Sequence, residues 1–308
     1  MRNTTGIDFI GDIHGHADAL EQLLRKMGYT QKENIWNHPG RIAFFAGDFI
    51  DRGPKIPETL RIVRHMISSG NARAVMGNHE YNAICFNRKD RKGRFLREHS
   101  QKNRKQHAET ISQFRGSQKE YISMIQWFET LPLFHESDGF RVVHATWDQH
   151  YVDHLNHLTG DGVLNDDLIH QSVYEKSRLY QSVDTTLKGK ELELPGSSTF
   201  QDKDGHERRA VRVKWWEHPD EQTYSSLAVG NIESLPDIPV QKENSFPYQV
   251  YERDERPVFF GHYWLKGEPR LFRENICCLD YSVAKGGKLV AYRFDGEERL
   301  LNEKLVSV

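Results

Sequence analysis

Phe9-Ile10-Gly11-Asp12-Ile13-His14-Gly15, Phe45-Ala46-Gly47-Asp48-Phe49-Ile50-Asp51-Arg52-Gly53 and Val75-Met76-Gly77-Asn78-His79-Glu80 follow one pattern. An apolar run stops at a glycine, and a side chain able to hold a metal comes next. Between the first two runs, Leu20, Leu23, Leu24 and Met27 recur at helical spacing, with Asp18 and Glu21 placed as a capping box and Gly28 as a stop. Between the second and third, Ile56, Leu60, Val63 and Ile67 mark a helix with Pro57 near its start and Gly70 past its end. Short strands separated by helices of this length predict βαβ units and a mostly parallel sheet. In such sheets ligands gather outside the carboxyl ends of the strands, so residues far apart in sequence converge there. Two later runs repeat the pattern: Val142-Val143 leads into His144, and Phe259-Phe260 into Gly261-His262.

Composition narrows the chemistry. The chain has 308 residues, with 42 Lys or Arg against 44 Asp or Glu and a net charge of -2, which argues against an overall polycation that wraps nucleic acid. Neither a stretch of membrane-spanning length nor a hydrophobic signal core is visible, so a cytoplasmic protein without a membrane partner is expected. Histidines number 16 and cysteines 3 (Cys85, Cys277, Cys278), which excludes a cysteine-rich zinc site and makes a disulfide framework improbable. A metal here would be held by nitrogen and oxygen.

After Glu80 the texture changes. Asn87 to His107 carries nine Lys or Arg against Asp90 and Glu98. The basic run Arg88 to Lys105 reads either as a track for polyphosphate or RNA, or as a solvated helical face. Tyr121 to Phe128 reads as an amphipathic helix and Arg141 to Val143 as a strand. Residues 151–256 are polar with weak periodicity; within them Asp202-Lys203-Asp204-Gly205 reads as a turn, Val211 to Trp216 as a strand, and His150, His154 and His157 as solvated surface. Strand texture returns at Val258 to Phe260, Ile276 to Leu279 and Leu289 to Phe294. The expected organisation is one domain over 1–308, with a basic, helical insertion at 87–130 and an irregular cover at 151–256. Gly286-Gly287-Lys288 lacks the spacing of a phosphate-binding loop and reads as a hairpin turn.

The three glycine-led signatures, Gly11-Asp12-Ile13-His14-Gly15, Gly47-Asp48-x-x-Asp51-Arg52-Gly53 and Gly77-Asn78-His79-Glu80, resemble those of the calcineurin-like metallophosphoesterases. The resemblance is to the branch that holds protein Ser/Thr phosphatases and symmetrical diadenosine tetraphosphate hydrolases; Leu279-Asp280 and Gly286-Gly287-Lys288-Leu289 are similar to the latter. It implies a four-layer α/β/β/α fold, two packed sheets flanked by helices, with a dinuclear metal site at the strand ends. Asp12, His14 and Asp48 would hold one metal, and Asp48, Asn78, His144 and His262 the other, with Asp48 bridging. His79 would be the general acid, oriented by Asp51, and Arg52 would contact phosphate. Two divalent metal ions are implied, Mn first, with Fe, Zn or Ni as alternatives, a set that mixed carboxylate, amide and imidazole donors suit. The implied reaction is hydrolysis of phosphate monoesters by direct attack of metal-bound hydroxide. The alternatives are hydrolysis of nucleotide phosphoanhydrides, such as diadenosine tetraphosphate or RNA 5′ ends, and a non-catalytic binding scaffold. The expected partner is a phosphorylated protein, a nucleotide or a small phosphoester.

The chain also departs from that pattern. His144-Ala145-Thr146-Trp147-Asp148 lacks the glycines of the protein phosphatases, and the second phosphate-binding arginine has no fixed position; Arg178, Arg212 and Lys214 are the candidates. Tyr263-Trp264 follows Gly261-His262 without a further His, which leaves the first metal poor in ligands. Trp215, with Trp216 and Tyr224, either stacks a nucleobase or packs in a core. Asp280 either backs the site or only ends a strand.

Overall fold

Strands β1 (Gly6–Ile10), β2 (Arg41–Phe45) and β3 (Ala72–Ala74) pair in parallel, with Ile10 opposite Phe45 and Phe45 opposite Ala74. The crossovers carry helices α1 (Ala17–Lys26) and α2 (Ile56–Ser68), the βαβ arrangement expected from the spacing. These relations come from a computed structural model that describes residues 6–201, 207–230, 232, 234–240 and 249–308; the expected turn at Asp202 to Gly205 lies outside the described residues. Helix α1 begins differently from the expectation. His16 is its N-cap, and Asp18, within the first turn, pairs with Lys55 at 2.7 Å instead of closing a capping box.

A second sheet is built from β4 (Phe134–Glu136), β5 (Arg141–Val143), β6 (Val258–Phe260) and β7 (Ile276–Cys278), in the order β7-β6-β5-β4. The chain then returns to the first sheet through β8 (Asp280–Tyr281), β9 (Lys288–Phe294) and β10 (Leu305–Ser307), giving β8-β9-β1-β2-β3 with β10 beside β9. The hairpin from β8 to β9 turns at Gly286 and Gly287, as the sequence reading expected.

Why these runs are apolar without alternation follows from the two layers of core. Phe9, Phe44, Val142, Phe259 and Cys277 point between the sheets, while Ile10, Phe45, Val143, Phe260 and Cys278 point to the opposite faces, under the helices. A strand buried on both faces must be apolar at every position. Phe9 and Phe259, one from each sheet, stack at 3.7 Å between ring centroids and join the layers.

The 87–130 segment contributes the end of α3 (Asn78–Asn87), α4 (Gln101–Gln113) and α5 (Gln118–Phe128). Its basic first part, 88–100, is not helical. Asp90 accepts the backbone N–H groups of Lys92 and Arg94 around Gly93 (φ 77°), and such a local turn competes with a helix. Within that part Arg88 is tied to Glu129 and Asp166 and Arg94 to Asp90, while Arg91 and Lys92 are exposed.

The expectation of an irregular cover at 151–256 is corrected in its first third. Helices α6 (Gln149–Thr159), α7 (Asp166–Gln171) and α8 (Arg178–Lys188) begin at Asp148, Asn165 and Ser177, each of which caps its helix by a side-chain oxygen. Beyond them Glu191–Glu193 pairs with Ala210–Arg212, a shorter strand than the one expected at Val211 to Trp216. Trp215 is fully buried against Trp216, Tyr251 and Phe260, and Tyr224 is fully buried as well, so neither stacks a base. No helix among the described residues is long and apolar enough to cross a membrane.

The stacked pair between the sheets gives a direct test of this architecture. Phe259→Ala should lower unfolding stability by about 3–5 kcal/mol, read as a shift of the urea midpoint with an unchanged slope.

Candidate active site

Five parallel or mixed strands end on one side of the two sheets, and the residue types that follow them meet there. Asp12 follows β1, Asp48 follows β2, Asn78 opens α3 after β3, His144 follows β5 and His262 follows β6. All five are buried, as are His14 and His79. Close backbone approach requires glycine at two of the junctions. A Cβ at Gly77 would overlap the backbone and carboxylate of Asp48, and one at Gly261 would overlap the carboxylate of Asp12.

Asp48 lies at the centre. Its Oδ2 is 3.6 Å from His14 Nε2 and 3.4 Å from His144 Nε2, and its Oδ1 accepts the backbone N–H of His79 at 2.9 Å. Asn78 Oδ1 lies 3.1 Å from His144 Nε2 and 2.7 Å from His262 Nδ1. Two groups of donor atoms close enough to share an ion result, His14/Asp48/His79 and Asp48/His144/His262, and Asp48 belongs to both. Asp12 flanks them, its carboxylate accepting the backbone N–H of His262 at 3.1 Å.

The residues present fit divalent cations on two observations. First, His14 and His144 use Nδ1–H to donate to the carbonyls of Ile50 and Ala46 at 2.8 and 2.7 Å, which directs an Nε2 lone pair of each at Asp48. Nε2 of His14 and of His262 are buried without a hydrogen-bond partner. Second, Asp12, Asp48, Glu80 and Asp280 are four buried carboxylates around one point. Burial, with the charges of Asp280 and Asp48, pushes Asp12 well above the ordinary range, and burial with Asp48 pushes Glu80 up to about 7. Burial would raise Asp48 too, but the imidazoles of His144, His79 and His14 outweigh it and hold the group well below its ordinary value. Burial and the neighbouring His79 push His14 down to about 4, which keeps its imidazole neutral and available as a ligand. So much buried negative charge without a Lys or Arg among it calls for cations.

Beside this centre runs a chain of hydrogen bonds. His79 Nδ1 is 2.6 Å from Asp51 Oδ2, leaving its Nε2 free towards Asp48 at 3.9 Å. Burial alone would push His79 down; Asp48 and the bond to Asp51 outweigh it and raise its pKa. Four residues to which sequence reasoning gave no role complete the arrangement. His107 Nδ1 and Thr110 Oγ1, both on α4, contact Asp51 Oδ1 at 2.8 and 2.5 Å, and His107 Nε2 meets the Tyr121 hydroxyl at 2.9 Å. Glu80 accepts the backbone N–H groups of Asp48, Phe49 and Gly77, which ties the loops after β2 and β3 together. The Glu of Gly-Asn-His-Glu was the one available signal for this; His107 lies within a run that reads only as basic.

The remaining candidates separate. Arg212, half-buried with its Nε 3.8 Å from Glu191 Oε1, carries its charge to His262, helping burial to push that imidazole well below its ordinary value. Arg178 lies beside His150, and Lys214 Nζ donates to the Ser226 carbonyl, both within the cover. Asp280 is buried, and its carboxylate accepts the N–H groups of Trp264 and Ser282. Arg52 is exposed over the Trp264 ring at 4.8 Å, and its charge reaches His14 and His79.

Strain concentrates in the same place. Six of the ten non-glycine residues with positive φ among those described are His14, Asp48, Asp51, Arg52, His262 and Trp264, an expense of about 1 kcal/mol or more each that marks a functional centre. Asp48→Asn should abolish retention of both metals in elemental analysis after loading with Mn and desalting, whereas His262→Ala should lose one. In the parent protein, free Mn at about a hundredfold over Kd should raise unfolding stability by about 2.7 kcal/mol.

Residues 6–263 match the family model described as calcineurin-like phosphoesterase. An asymmetrical bis(5′-nucleosyl)-tetraphosphatase of Halalkalibacterium halodurans is 47% identical over 73 residues, which cover 23% of this chain and 30% of that protein's length. A symmetrical bis(5′-nucleosyl)-tetraphosphatase of Buchnera aphidicola is 25% identical over 311 residues, covering 96% of this chain and 97% of that one. The fold is similar to that of a protein serine/threonine phosphatase from Saccharomyces cerevisiae, with a TM-score of 0.52, 15% identity, and coverage of 100% of this chain and 80% of the other. With five strand ends delivering their donors to one buried centre and the match extending over most of its length, the chain belongs to the calcineurin-like phosphoesterase family.

Proposed function

We propose that this chain hydrolyses phosphoric esters, phosphate monoesters first, at a centre where Asp12, His14 and Asp48 hold one divalent cation and Asp48, Asn78, His144 and His262 a second. The observation that carries the reading is the pairing of unpartnered imidazole nitrogens and buried carboxylates with a His79–Asp51 pair alongside. Mn is the expected metal. Two bound cations supply a water of lowered pKa and oppose the negative charge of the phosphoryl group.

The protein's own groups would do the following. Arg52 offers a guanidinium fork to two phosphoryl oxygens, and Arg212 a second cation from the cover. His79 keeps its proton near neutrality because Asp48 and Asp51 favour the imidazolium, and it passes that proton from Nε2 to the departing oxygen. Asp51 fixes the imidazole through Nδ1 and is itself fixed by His107 and Thr110. Burial of the donors excludes bulk water and strengthens each of these interactions. A cytoplasmic setting belongs to the same reading, and the three buried free thiols fit a reducing compartment.

A second reading, hydrolysis of nucleotide phosphoanhydrides, is favoured by the names of the two relatives and by a cavity of about 640 Å³ lined by Lys266, Ser282 and Lys285. A panel of p-nitrophenyl phosphate, phosphopeptides and dinucleoside polyphosphates with Mn decides between them, and a panel left intact throughout would sink the hydrolase claim in favour of a binding scaffold.

Two substitutions test the proton path. His79→Ala should cut kcat on alkyl phosphates by about 10²–10⁴-fold, but far less on p-nitrophenyl phosphate, whose leaving group needs no proton; equal losses would remove the assignment. Thr110→Val, which keeps the fold but deletes one bond to Asp51, should move kcat on alkyl phosphates in the same direction by about tenfold with KM unchanged.

A further inference from the structure

We propose that Lys285, held beside Arg52 by the shared ring of Trp264, forms a second anion subsite that takes the next phosphates of a linear polyphosphate chain. The inference deepens the anhydride reading of the same centre and rests on it for the position of the first phosphoryl group.

Arg52 Cζ lies 4.8 Å and Lys285 Nζ 5.1 Å from the centroid of Trp264, so the two cations are at most about 10 Å apart. Two like charges share one aromatic surface, and among the described residues no carboxylate pairs with either. Each ring contact is weak at an exposed site, which leaves both cations available to an anion. The other end of the same ring assembly touches the metal centre, since the Trp264 and His14 rings are 5.4 Å apart. His14, Arg52 and Lys285 are therefore gathered around one ring, within reach of a single extended anion.

The arrangement is built rather than incidental. Trp264 carries a positive φ of 54°, a costly conformation for a bulky residue, and Ser282 one of 60°. Both are fixed by one buried carboxylate, Asp280, whose Oδ2 accepts the Trp264 N–H at 2.6 Å and whose Oδ1 accepts the Ser282 N–H at 2.9 Å. A further bond from Ser282 Oγ to the Leu265 carbonyl joins the same two loops. Asp280 thus sets the distance between the ring and the short turn Val283–Lys285 that carries the second cation. Behind Lys285 lies the cavity of about 640 Å³, with Lys266 on its wall and Glu268 already paired to Lys288. A cleft of this size fits a nucleoside-sized remainder of the substrate. One phosphoryl group bound by Arg52 leaves Lys285 idle; a chain of phosphates uses both.

Binding tests this without turnover. Inorganic tripolyphosphate strips divalent ions, so calorimetry is done on the metal-free full chain, with orthophosphate as the single-phosphate probe. The expected result is tighter binding of tripolyphosphate than of orthophosphate, and a loss in Lys285→Glu about tenfold larger for tripolyphosphate. Trp264→Leu should reduce the same preference, with the fold checked by circular dichroism. Equal losses for both anions, or no preference in the parent chain, would overturn the subsite. Failure of the hydrolase reading is recognised separately, as no turnover of any phosphoester with Mn, and leaves the calorimetric result standing.

Discussion

Buried negative charge is the constraint around which this molecule is arranged. Asp12, Asp48, Glu80 and Asp280 lie together where the strands end, and the interior gives them no Lys or Arg. Each answers the problem in a different way. Glu80 and Asp280 spend their oxygens on backbone N–H groups and fasten loops. Asp48 accepts one N–H and turns its other oxygen to three imidazoles. Asp12 has the His262 N–H, and burial with the charges of Asp280 and Asp48 pushes it well above its ordinary range. A fold that tolerates this without cations would be paying several kcal/mol per uncompensated charge, so the centre makes physical sense as half of an ionic assembly.

Holding the donors in place is the task of the backbone. The loops after β1, β2 and β6 carry positive φ at His14, Asp48 and His262, a conformation open to His and Asp at moderate cost. Arg52 and Trp264 pay more for it. What sustains the strain is the rigid frame beneath: strands buried on both faces, with Phe9 against Phe259 fixing one sheet on the other. Sub-ångström placement of the side chains at the strand ends is inherited from that packing.

The frame and most of the centre were legible in the sequence because both depend on local pattern. Apolar runs give the strands, leucine spacing gives α1, and a glycine followed by a donor marks each junction. What was illegible depended on partners remote in sequence. His107 and Thr110, the buried residues of α4, are themselves polar, so no apolar stripe marks the face of that helix that turns inward. Helices α6 and α8 were hidden by polar stretches, histidine-rich in α6, although their Asp148 and Ser177 caps stood in the sequence. For Trp215 the sequence left stacking and packing both open, and its contacts with Trp216 and Phe260 place it in the core of that segment. Asp18 matched a capping spacing too late, because the Gly15 turn delivers His16 to the N-cap first.

A division of labour follows from where each group originates. The proposed metal donors come from strand-end loops of the common frame, and Asp51 and Arg52 from the same source. Orientation of His79, the proposed proton donor, involves α4, in the first insertion, whose His107 and Thr110 reach Asp51 from outside the sheet layers. Extra cations come from two further places: Arg212 in the second insertion, and Lys285 in the hairpin that closes the first sheet. Chemistry at phosphorus can therefore stay constant while the peripheral cations change, because none of the peripheral groups is needed to hold the donors. On the proposed reading, substrate choice would rest with the cover and the hairpin, and the charge that these place beyond Arg52 would set how many phosphates the centre accommodates.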